Sequence, residues 1–261
     1  MRLWDSGVTW ANIEPSGTSG TSNVTWDWTK LDQLVNAAAA RGLGIDLVLG
    51  ETPLWAAPAG STTNYTGGSA AVPKNIYDWN LYVSTVAIRY ANDNMIYETW
   101  NEPNLSLYWS GDMNTMAYLN QQAYGDIRLP APNAKVLTPG FTSAGTSGTN
   151  PFSQFLSSTY APLAHSDAVA FHDYPTAASQ ITSVANSFES NIKAKDGNVD
   201  KPLWLTELGC DRNATACTSA IAQSFVNTAK SATDVQVLTD VQVLMWYALG
   251  GGGQYFGYSE F

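Results

Sequence analysis

Short apolar runs alternate along the chain with longer stretches in which apolar positions recur at helical spacing. The short runs lie near residues 2, 45, 95, 135, 168, 202 and 242 and predict seven strands. Between them, Leu31, Leu34, Val35 and Ala38 predict a helix that Gly42 ends. Trp79, Val83, Val86, Ala87 and Tyr90 share one face of a helix over 76–90. Further helices are expected over about 115–128, 151–158, 178–195 and 216–230. Residues 5–20 read as a loop, and so does the Gly-, Ser-, Thr- and Pro-rich stretch 55–73. Loops of that second length are uncommon in compact domains and usually functional or mobile.

Unbroken apolar strands alternating with helices call for a parallel sheet buried on both faces. A nucleotide-binding doubly wound sheet would carry a Gly-rich phosphate turn, and no such pattern follows the first strands. The expectation is therefore α/β, a (β/α)8 TIM barrel filling residues 1–261 as one catalytic domain. Seven strands are one short of eight. The pentapeptide Asp-Val-Gln-Val-Leu occurs at 234–238 and again at 240–244, a local duplication too short to define an architecture.

Composition narrows the function. A net charge of −10, with 12 Lys and Arg scattered rather than clustered, leaves no basic face for nucleic acid. No run of about 18 apolar residues spans a membrane. Ten Trp and 13 Tyr exceed what core packing asks for, and many lie near turns, where they suit stacking on sugar rings. Abundant Ser, Thr, Asn and Gly suggest a secreted protein, read here as a mature or clipped form because the chain opens without a signal peptide. The two cysteines, Cys210 and Cys217, are separated by six residues in a polar segment; a disulfide is the favoured reading, a reduced pair the alternative.

The candidate chemistry sits at strand ends. Met95 to Trp100 is an apolar run that stops at Pro103, and Glu102 stands where it gives out. Glu207 closes the run Lys201 to Thr206 in the same way. In a parallel barrel such ends gather at one face, where active sites are built. Two carboxylates brought together there are what glycoside hydrolysis requires. Two His far from the Cys pair make a poor metal set, so no metal or organic cofactor is implied.

Trp100-Asn101-Glu102-Pro103 and Thr206-Glu207-Leu208-Gly209 resemble the acid/base and nucleophile motifs of clan A glycoside hydrolases. Within the clan, Arg2-Leu3-Trp4-Asp5, Trp10, Ile13-Glu14-Pro15, and Leu47 to Gly50 with Thr52-Pro53 and Trp55 are most similar to family 39. The resemblance implies a (β/α)8 barrel, with Glu102 as general acid/base and Glu207 as nucleophile. It implies that Asn101 bonds the sugar 2-hydroxyl and that Arg2 keeps Glu207 ionised. His172 and Tyr174 would flank the nucleophile, Trp246 would form the floor, and Trp4 and Trp55 would complete the substrate-binding set. The substrate would be a β-linked oligo- or polysaccharide, cut with retention and, given the long loop, within the chain.

Counting back from Glu102 on the fourth strand of that family makes Arg2 to Trp4 the second strand, so the first strand and helix are missing. The aromatic tail 254–261 could add a strand at the exposed edge, or a second copy could pair there, giving either a monomer or a homo-oligomer. A non-catalytic carbohydrate-binding barrel is the rival reading. It would keep the tryptophans without needing both glutamates.

Overall fold

The computed structural model describes residues 1–145, 150–174, 178–196, 201–211, 241–246 and 255–256. Its strands are β1 (Arg2–Leu3), β2 (Ser16–Gly17), β3 (Val24–Thr25), β4 (Ile45–Val48), β5 (Met95–Glu98), β6 (Lys135–Leu137), β7 (Val169–Asp173), β8 (Leu203–Leu208), β9 (Cys210–Asp211), β10 (Val241–Trp246) and β11 (Tyr255–Phe256). Its helices are α1 (Trp10–Ile13), α2 (Thr29–Ala39), α3 (Ile76–Arg89), α4 (Met113–Arg128), α5 (Pro151–Leu156) and α6 (Ala178–Asp196).

The seven expected strands form a parallel wall. β1, β4, β5 and β6 pair in that order, and β7, β8 and β10 make a second parallel set. Parallel bridges from Leu137 to Ala168 and from Phe141 to Phe171 join the two. The architecture is that of a (β/α)8 barrel. Among the described residues, no strand pairs with the outer edge of β1.

Strand alternation sorts side chains into two layers. Ile45, Leu47, Tyr97, Val169, Phe171, Leu203 and Leu205 join the large core between wall and helices. Leu137, Ala168 and Ala170, with Ile96 and Trp204 against them, form a separate cluster. Helix α3 shows why the helices dock. Its Asn75 cap accepts from the Tyr77 amide, and Trp79, Tyr82, Val83, Val86 and Ala87 are buried along one stripe. Each large apolar side chain so buried contributes roughly 1.5–3 kcal/mol.

Some expectations change. Residues 5–20 are not all loop: α1 forms within them, its start fixed by the Thr9 amide donating to Asn12 Oδ1 at 3.2 Å, and β2 pairs antiparallel with β3. In the tail, Tyr255 and Phe256 pair antiparallel with Asp211 and Cys210. These two residues therefore extend the chain end of β8 rather than replace a strand beside β1. The helix expected over 216–230 and the first copy of the pentapeptide lie outside the described residues, as does Cys217 of the expected disulfide.

Candidate active site

Glu102 and Glu207 come together at the C-terminal ends of β5 and β8. Glu102 has φ 41, a left-handed conformation that costs a non-glycine residue roughly 1–2 kcal/mol. Its amide donates to the Gly140 carbonyl at 2.8 Å, which helps to hold it there. Positive φ in a non-glycine residue is often found where a side chain must be aimed. Glu207 is aimed by a different device. Alternation along β8 would put it with Leu203 and Leu205, facing the helices. The β7–β8 register skips one residue, however: Phe171 lies opposite Leu205 and His172 opposite Glu207. This bulge brings Glu207 beside His172.

Arg2 binds the two halves. Its Nη1 donates to Glu207 Oε2 at 2.7 Å, and its Nη2 donates to Asn101 Oδ1 at 2.8 Å and Glu98 Oε1 at 2.7 Å. Its Nε reaches Glu98 Oε2 at 3.3 Å, so Glu98 grips the guanidinium with both oxygens. Glu98 is completely buried. Burial alone would raise its carboxyl, but the charge of Arg2 and the neighbouring His172 hold it down at about 2. The same pairing raises Arg2 against its own burial. Asp46 lies opposite Arg2 in the register, fully buried, and burial beside Glu98 raises its carboxyl far above the usual range.

His172 is buried between the acids. Its Nδ1 lies 2.8 Å from Glu102 Oε1 and 3.6 Å from Glu207 Oε2, and its Nε2 is 3.6 Å from Glu98 Oε1, beyond hydrogen-bond length. Burial lowers its pKa, but the charge of Glu207 and the bond to Glu102 outweigh that and place it at about 9. A protonated ring donates from Nδ1 to Glu102. The Tyr174 hydroxyl donates to Glu207 Oε1, and burial with that carboxylate pushes the phenol up.

These groups open on a cleft of about 840 Å3 lined by Trp4, Asp5, Tyr65, Asn101, Leu105 and Tyr108 among others. Of the residues expected at the site, Arg2, Trp4, Asn101, Glu102, His172, Tyr174 and Glu207 converge here. Trp55 does not. It is turned towards Gly17, its indole N–H donating to the Glu14 carbonyl at 2.9 Å, and it lies outside the cleft lining. Trp246 ends β10 opposite Leu208, and its side chain lies outside what is described. Glu98, Asp46 and Tyr65 were not anticipated. The first two carry a readable signal, since an acid inside an apolar strand needs a partner or a proton.

One described set of residues could offer three donors to a metal ion: Glu102, His172 and Glu207, whose nearest ligand atoms all lie within 4.8 Å of one another. Arg2 and Tyr174 already bond both oxygens of Glu207, so this carboxylate is answered by protein donors.

A parallel barrel hosts many chemistries; the family whose model the sequence matches gives the class, the clan A glycoside hydrolases. The model of cellulase, glycosyl hydrolase family 5, matches residues 7–242, and the chain belongs to that family. Solved structures similar to it bear out the expected likeness to family 39. A monomeric β-xylosidase from Caulobacter crescentus CB15 shares 20% identity at a TM-score of 0.70, over 95% of this chain and 53% of its own. A family 39 glycoside hydrolase from Bacteroides cellulosilyticus WH2 shares 16% at 0.66, over 97% and 51%. An endo-1,4-β-D-mannanase from Thermotoga petrophila RKU-1 shares 16% at 0.57, over 98% and 84%. At these identities the likeness is one of fold. The chain spans about half the length of the first two of these structures. No curated protein sequence matches it.

Proposed function

We propose that residues 1–261 form the catalytic barrel domain of a retaining β-glycosidase that cuts within neutral β-linked polysaccharides. The approach of the two carboxylates carries this reading: an oxygen of Glu102 and one of Glu207 lie within 4.8 Å. Retaining enzymes hold their carboxyl groups about 5–5.5 Å apart, and inverting enzymes leave roughly 6.5–9.5 Å for a water.

In this mechanism Glu207 attacks the anomeric carbon while Glu102 gives its proton to the departing oxygen. Glu102 then takes a proton from the water that releases the glycosyl-enzyme. The two acids are treated differently by their neighbours. Arg2 and Tyr174 donate to the two oxygens of Glu207 and hold its carboxyl group in place. Glu102 accepts from His172 Nδ1, and Leu105 and Tyr108 line the cleft with it. Arg2 also fixes the Asn101 carbonyl oxygen, which leaves the amide nitrogen free to meet the sugar 2-hydroxyl. Trp4 forms part of the wall, and Trp246 is assigned to the floor.

The acids lining the cleft, Asp5, Glu102 and Glu207, disfavour an anionic glycan. The matched family is named for cellulase, and similar structures are a xylosidase and a mannanase, so xylan, mannan and cellulose are the substrates to test. The cleft volume, towards the upper end for small-molecule sites, suits more than one ring and internal cutting. Export of the protein is part of this reading, supported by its Ser-, Thr- and Asn-rich composition. No helix among the described residues is long and apolar enough to cross a membrane. The test is incubation with xylan, glucomannan, carboxymethyl cellulose and an acidic glycan, with products sized. Internal cutting yields mixed oligosaccharides from a neutral polymer; release of single sugars alone would contradict it.

A further inference from the structure

The loop between β4 and α3 holds an aromatic ring over the cleft by an arrangement that the reaction itself does not require. Tyr65 is 64% exposed, yet its hydroxyl is fixed. It donates to Asp5 Oδ1 at 3.0 Å and lies 3.2 Å from both the Trp4 indole nitrogen and the Tyr108 hydroxyl. All four residues line the cleft. The backbone is fixed too. Asn64 and Thr66, on either side of Tyr65, both donate to the carboxylate of Glu51, which is fully buried. Thr52 and Ser69 pair across the base of the same loop. Gly68 is needed there, since a Cβ at that position would stand 2.5 Å from the Glu51 Cβ.

A tyrosine serving only as a pin would be covered. Here the hydroxyl end is engaged while the residue stays mostly exposed, in a cleft that Glu102 and Glu207 also line. Its contact with Tyr108 is edge-on, with centroids 6.4 Å apart at 72°, and does not cover a face by stacking. A rigid, uncovered aromatic face in a sugar-cleaving cleft loses little entropy when a ring of the substrate packs on it.

We propose that Tyr65 is a sugar-stacking wall that binds a pyranose ring of a neutral glycan, and that Glu51 is the positioning residue that presents it. The proposal rests on the glycosidase reading for its ligand class, but it concerns binding and is tested by binding.

Calorimetric titration of the Glu207→Gln protein with xylohexaose, cellohexaose and mannohexaose identifies the tightest probe. Adding Tyr65→Ala should weaken that Kd about 10-fold, the scale of one aromatic contact plus its buried area. Tyr65→Phe, which keeps the ring and loses the pin, should fall between the two. Glu51→Gln should weaken binding where Tyr65 is present and have no further effect where it has been removed; a general loosening of the fold would act in both backgrounds. An unchanged Kd on removing Tyr65, or additive losses in the double change, would overturn the proposal. Failure of all three hexasaccharides to bind would overturn it as well. Tight binding that depends on Tyr65, in a wild-type protein that hydrolyses none of the three, would instead refute the glycosidase reading and leave this one standing.

Discussion

Arg2 Nη1 donates to Glu207 Oε2 at 2.7 Å, a bond that links the first described strand of the barrel to the candidate nucleophile on β8. The guanidinium is held in this pose by Glu98 and touches Asn101 at the same time. One cation thus holds both the carboxyl group of the candidate nucleophile and the amide beside the acid. Because Arg2 is buried, no solvent cation can easily take its place, and the site's electrostatics depend on one side chain.

Replacing Glu102 with Gln removes the proton donor and keeps the shape. Hydrolysis of a natural disaccharide linkage should fall about 100- to 10,000-fold, the usual range for general acid catalysis. A dinitrophenyl glycoside, whose leaving group needs no proton, should lose much less in the step that forms the glycosyl-enzyme. Pre-steady-state release of dinitrophenolate reads that step, and equal losses on both substrates would speak against Glu102 as the acid.

His172 makes stability depend on pH. Its folded pKa, about 9, lies above the ordinary histidine value of 6.5. Its contribution is therefore fully present below pH 6.5 and is lost as the pH rises through 9. Across that window the wild-type protein should lose stability relative to His172→Asn, by an amount on the order of 1–3 kcal/mol. Thermal unfolding at pH 6 and pH 9.5 checks this; parallel curves for the two proteins would show that the ring is not charged in the fold.

Gly140 leaves no room for a side chain. A Cβ there would stand 2.7 Å from Glu98 Oε1 and closer still to the His172 ring. Gly140→Ala should cost about 1–3 kcal/mol by overpacking. It should also lower kcat more than it raises KM, because the displaced groups support both glutamates rather than the substrate. Steady-state kinetics beside a melting curve separate the two effects, and a variant with wild-type kcat would contradict the packing.

The sequence pattern was enough to place the seven strands, because a buried parallel strand reads as an apolar run whatever surrounds it. It also put His172 in reach of the site, since the residue ends its run at the same end as Glu102. Glu207 was found by its position at a strand end, but its direction was not legible. Strict alternation points it at the helices, and only the bulge opposite His172 brings it to the site. The long-loop expectation over 55–73 named Trp55 as its site residue, and the structure places a different aromatic at the cleft. Trp55 turns away to the Glu14 carbonyl, while Tyr65, ten positions on, faces the cleft, an outcome fixed by the distant Glu51. Glu98 reads simply as part of a strand, although an acid in an apolar run is a signal that something charged lies opposite.

The central claim is double displacement between Glu207 and Glu102. It is tested most directly by following the anomeric protons by NMR during the first minutes of hydrolysis of a β-linked hexasaccharide. The account predicts that the β-anomer of the newly formed reducing end appears first and converts to the equilibrium mixture afterwards. If the α-anomer appears first, the reaction inverts, and the assignment of Glu207 as nucleophile is wrong.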